Sequence, residues 1–134
     1  MELLKILTLF AAGGAVYVCI ELIWRGRSHW SMALDGGVCF VLIGLLDELA
    51  PGLPLSAQAM LGAAIISGSE LLLGLTVNRS FAVWDYRSLP HNLRGQVCPQ
   101  YFSCWALLSI AAAGLDDVLR LALFGEALPV WRPV

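Results

Sequence analysis

The chain has 134 residues, of which 59% are hydrophobic and only 13% charged, roughly half the charge of an ordinary soluble domain. Mean hydropathy is +0.78 and the formal net charge is −2. So few polar side chains would not cover the surface of a soluble enzyme, and the lack of a basic tract argues against nucleic acid as a partner. An integral membrane protein, with the lipid bilayer as its first partner, is what remains.

Crossing a bilayer takes about 20 apolar residues in a helix. Continuous runs rather than alternation point to helices, not barrel strands. The all-α class expected is a polytopic membrane protein with about four transmembrane helices, at about 3–24, 30–46, 55–77 and 98–115, forming a single transmembrane domain over 1–134. Lys5 ahead of the first run also fits a cleaved signal peptide. That run outlasts a typical signal core, shows no convincing cleavage site and is followed by three more, so it is read as the first span.

The first connector, 25–29, is short and basic. The second, 47–54, is acidic and holds two prolines, and the third, 78–97, is long and mixes arginines with aromatics. After the fourth span, residues 116–124 read as a short C-terminal amphipathic helix at the interface. Arg25, Arg27, Arg79, Arg87 and Arg94 lie on one side, Lys5, Arg120 and Arg132 on the other. This balance favours the first and third connectors in the cytoplasm.

An offset of 49 aligns Gly13, Ala15, Glu21 and Leu22 with Gly62, Ala64, Glu70 and Leu71, and an offset of 69 aligns Leu46-Asp47 with Leu115-Asp116. Two related helical hairpins would produce this pattern, as would chance.

Glu70 is the sharpest single signal. It lies about 10 Å inside its span at 1.5 Å per residue, where an ionised carboxylate costs a few kcal/mol, about 3, unless paired, hydrated or protonated. Ser67, Glu70, Gly74 and Asn78 share one helix face at i, i+3, i+4 spacing. One reading is an intramembrane site for a cation, proton or small polar solute. The other is a protonated glutamate bonded to a neighbouring helix for packing. Glu21 has Arg25 one turn on, which suffices for an interfacial ion pair, although the offset alignment would set it opposite Glu70. Trp84, Asp85 and Tyr86 in the third connector are either interfacial anchors or a gate contacting substrate. Asp116 and Asp117 lie within helical reach of Arg120, and a structural ion pair is expected there.

His29 and His91 stand alone, and the four cysteines form no CxxC pair. Small, weakly polar residues of membrane helices account for the cysteines, although a Cys98–Cys104 disulfide stays open. No GxSxG, HExxH or P-loop occurs, so no catalytic residue, metal or cofactor is expected and an enzyme is unsupported.

The runs 25–32 (RGRSHWSM), Gly36-Gly37-Val38-Cys39-Phe40 and Val83-Trp84-Asp85-Tyr86, then Leu89-Pro90, Asn92 and Gly95-Gln96-Val97-Cys98, resemble the ABC-transporter type IV family of small bacterial integral membrane proteins. The resemblance continues through Leu115-Asp116-Asp117, Leu119-Arg120 and Leu123-Phe124-Gly125-Glu126. Asp47 stands where that pattern has Asn, and Arg87 where it has Ser. The resemblance implies a transport-related, multi-pass component of the bacterial inner membrane. With no nucleotide-binding motif in the chain, an ATPase would be a separate partner. So small a bundle is expected to work as a homo-oligomer or in a larger membrane complex. The alternative is an assembly protein binding a partner through small-residue helix faces such as Gly36-Gly37.

Overall fold

Four apolar runs become four helices with no strand: α1 (Glu2–Arg25), α2 (Trp30–Leu49), α3 (Leu55–Thr76) and α4 (Pro99–Phe124). The structure is a computed structural model describing residues 1–134. Each helix end has a local cause. Gly26 takes the left-handed conformation (φ 68°) that stops α1, and Gly125 (φ 69°) does the same for α4. The His29 ring accepts the Ser31 N–H to cap α2, while Pro54 precedes α3 and Pro99 opens α4.

The expected separate helix over 116–124 does not exist, because α4 runs unbroken for 26 residues. The charges that suggested a break find partners within α4 and across the fold. Arg120 Nε donates to Asp116 Oδ2 at 2.5 Å, and its Nη1 pairs with Glu48 at the end of α2. Asp117 does not pair with Arg120. It accepts from Trp131 Nε1 at 2.9 Å, which draws the C-terminal tail against α4. All four cysteines are free thiols, so the Cys98–Cys104 bridge is not formed.

α1 packs along α2 and α3 along α4, and the two antiparallel pairs meet mainly through α2, with α1 only brushing α4. Glycine sets the close approach within the first pair: a methyl group at Gly13 would overlap the Phe40 ring, and one at Gly36 would stand 2.5 Å from Tyr17 Cβ. The same contact recurs in the second pair, where Gly62 faces Ser109. These positions are related by the offsets of 49 and 69, as are the first residues of α2 and α4, Trp30 and Pro99.

The interior is unusual for a soluble protein. Buried polar or charged side chains number eleven against twelve hydrophobic ones, while leucines, isoleucines and valines crowd the outside. That inversion suits a hydrocarbon solvent, which welcomes apolar surface and drives polar groups inward. α1 and α3 are long and apolar enough to cross a membrane.

Candidate functional site

At the end shared by the first and third connectors, α1, α3, α4, Met32 of α2, Trp84 and Tyr86 border a cavity of about 270 Å³. Glu70 borders it from α3 and is 2% exposed. Its Oε2 accepts from Trp105 Nε1 at 2.9 Å, and its Oε1 accepts from the Tyr86 hydroxyl at 3.4 Å. Both donors are neutral. Burial pushes the Tyr86 hydroxyl well above its ordinary range, so it stays a donor. Glu21 borders the same cavity from α1 and is ion-paired with Arg25. Arg25 also donates through Nη1 to the Val83 carbonyl at 2.7 Å, tying the end of α1 to the third connector.

Aromatic rings supply the wall. Tyr86 stacks on Tyr101 (centroids 4.4 Å apart, 13° between planes), Tyr101 adjoins Trp105 (5.7 Å, 39°), and Trp105 adjoins Tyr17 (6.4 Å, 53°). Successive rings are in contact, and all four line the space beside Glu70. Trp84 closes the connector side, and Trp24, 77% exposed, stands at the lip.

The third connector is a built structure. Asn78, fully buried, donates to the Trp84 carbonyl at 2.7 Å and to Gln96 Oε1 at 3.0 Å, and accepts the Val83 N–H at 2.9 Å. Trp84 Nε1 donates to the Gln96 carbonyl at 3.0 Å. Phe81, His91 and Arg94 hold positive φ angles of 57°, 58° and 54°, a conformation costly for bulky side chains. The Arg87 guanidinium lies 4.1 Å above the Phe81 ring, and Gly95, itself at φ 68°, leaves room for both.

Glu70, Glu21, Trp84 and Tyr86 therefore meet on one cavity, whereas Ser67, Asn78 and Asp85 do not line it. Ser67 faces a separate hollow with His91 and Phe102, because the helix rotates it away from Glu70. Asn78 lies past the end of α3 and spends its amide on the connector. Asp85 turns outward to Arg87, whose hydrogen bonds hold its carboxyl at about 2. Four contributors lay outside the sequence expectation: Tyr17, Trp24, Tyr101 and Trp105. Their signal was helical spacing, since Tyr17 lies one turn before Glu21 and Tyr101 one turn before Trp105. Asp35 was also missed. It is buried on α2, within 3.9 Å of Cys39 Sγ, and Cys39 reaches Ser69 at 3.1 Å.

Fold and site together define an all-α membrane protein with a polar interior. The family model described as "Putative ABC-transporter type IV" matches residues 36–124, which include most of α2, all of α3 and α4 and the whole third connector, and the chain belongs to that family. Neither curated proteins nor solved structures gave a match.

Proposed function

We propose that the chain is a transport-related, multi-pass component of a bacterial inner membrane, with Glu70 as an intramembrane site for a cation, proton or small polar solute. One observation carries this reading: Glu70 is buried beside a cavity of about 270 Å³ and has no cationic partner. A carboxylate placed only for packing would not need an adjoining space, and polar groups at this depth usually mark a pathway. Trp84 and Tyr86 close the cavity on the connector side. All four helices span, the short α2 and the charged α4 being sheltered by their neighbours, and the two hairpins are related by the recurring glycine contact. The assembly is a homo-oligomer or a larger complex, and any ATP hydrolysis comes from a separate chain.

Native mass spectrometry of the protein released from mild detergent tests this reading beside its Glu70→Gln variant. A small ligand that leaves with the variant, while the fold and the assembly mass persist, supports it. Equal loss of folded protein in the variant sinks it in favour of a packing role. The alternative of a partner-binding assembly protein is disfavoured by a specific contact pattern. Gly36 and Gly37 are consumed inside the chain against Tyr17 and Phe10, and are not free to receive a partner.

A further inference from the structure

We propose that the cavity beside Glu70 takes a small organic cation, an alkylated ammonium group, an inference that rests on Glu70 being an intramembrane binding site. Three features point to this chemistry. The first is charge: Arg25 is spent on Glu21 and the Val83 carbonyl, so Glu70 has no cation of the chain to pair with at the cavity wall. The second is the aromatic wall of Tyr86, Tyr101, Trp105 and Tyr17, with Trp24 at the lip. Aromatic faces attract cations through the ring quadrupole, and apolar rings favour a cation that carries its own methyl groups over one that must shed water. The third is size: 270 Å³ lies just under the range of about 300–1,000 Å³ that holds drug-sized ligands.

Other occupants fit less well. A proton needs no such space. A bare metal ion needs six or more oxygen ligands, or a cluster of His, Cys and acid, and no such cluster is present. An anion would meet Glu70 with no free cation to offset it. A neutral solute would hydrogen-bond to Glu70 but gain little from the ring quadrupoles.

Isothermal titration of the purified full-length chain in maltoside detergent tests the proposal with tetramethylammonium, ammonium and sodium chlorides. Tetramethylammonium is expected to bind at least tenfold tighter than the other two and to lose binding in Glu70→Gln. Tyr101→Leu should weaken it about tenfold, while Tyr101→Phe stays within about twofold because the ring remains. Trp24→Leu, at the exposed lip, should weaken it about threefold and keeps the test decisive if Tyr101→Leu does not fold. Equal binding of all three cations, lost together in Glu70→Gln, overturns the organic-cation inference and leaves the Glu70 site standing. Binding that ignores Glu70 altogether overturns both. Methylated ammonium also caps some lipids, so phosphatidylcholine and phosphatidylglycerol are added as competitors. Displacement of tetramethylammonium by the first alone names a lipid headgroup, and displacement by neither names a free cation. Displacement by both overturns ammonium recognition.

Discussion

Trp105 on α4 donates its indole N–H to Glu70 on α3 across 2.9 Å, the shortest hydrogen bond this buried carboxylate makes. The bond joins the two helices at the depth where the aromatic wall meets the charge. It therefore serves packing and the site at once, and the two roles separate only by substitution at each end.

Trp105→Phe keeps a ring but removes the donor, and a buried acceptor left unmet costs about 1–3 kcal/mol. Thermal unfolding in detergent should show that loss. Glu70→Leu paired with Trp105→Phe should cost less than the sum of the two singles, by about 0.5–3 kcal/mol, since each removes the same bond. Strict additivity would mean that the bond carries no stability.

The glycines give a graded series. Gly36→Ala sets a methyl 2.5 Å from Tyr17 Cβ and should destabilise by about 1–3 kcal/mol, because it displaces Tyr17. Ligand binding should weaken with it, since Tyr17 belongs to the cavity wall. Gly68 has no atom within 4 Å of its would-be methyl, so Gly68→Ala should stabilise α3 by up to about 1 kcal/mol through propensity alone. Denaturation midpoints in one detergent check both, and a costly Gly68→Ala would contradict the packing described.

Much of this organisation was legible in the sequence, and what escaped has identifiable physical causes. Runs of apolar residues are long enough to force helices whatever their partners, so the four-helix all-α fold could be read directly. The continuation of α4 could not, because Asp116, Asp117 and Arg120 end a hydrophobic run locally, and beyond the Asp116–Arg120 pair their partners Glu48 and Trp131 are set by the fold rather than by the helix. At the site, Glu70 stood out because a lone acid in an apolar span is costly. Tyr17, Tyr101 and Trp105 did not, since rings near helix ends resemble interfacial anchors. Asn78 misled because periodicity assumes a continuous helix face, whereas α3 ends at Thr76 and Asn78 turns into the connector, and Ser67 misled because residues three apart on a helix are still rotated by about 60°.

Asn78 should be the residue on which the third connector depends most. Asn78→Ala leaves the Val83 N–H, the Trp84 carbonyl and Gln96 Oε1 without that partner in a buried place, at a cost of about 3 kcal/mol. Arg79, Arg87 and Arg94 are exposed already, and release of the connector frees the backbone around them to enter a protease site. Trypsin should then cut the variant within 79–94 at least tenfold faster than the parent, with the other ends unaffected. Unchanged cleavage would assign the connector's order to Arg25 instead.

At the opposite end, Glu126 should make the attachment of the C-terminal tail acid-sensitive. Its carboxylate accepts from Lys5 Nζ at 2.7 Å and from Arg120 Nη1 at 3.4 Å. The Lys5 hydrogen bond holds the Glu126 carboxyl below its ordinary value of 4.5. A carboxyl lowered on folding adds stability above its unfolded value and gives it up as pH falls through the lower, folded one. The pair is only partly buried, so the effect is local and screened by salt. Hydrogen exchange of the 125–134 peptide should stay constant from pH 7 to 5 and rise below 4.5 once corrected for intrinsic rates. The Leu55 amide, which donates to the Arg132 carbonyl at 2.6 Å, should rise with it. Lys5→Gln should move that rise to higher pH by removing the larger of the two holds, and Glu126→Gln should abolish the pH step. A tail whose exchange is equally protected at pH 3 and pH 7 would mean that Trp131 on Asp117 anchors it alone.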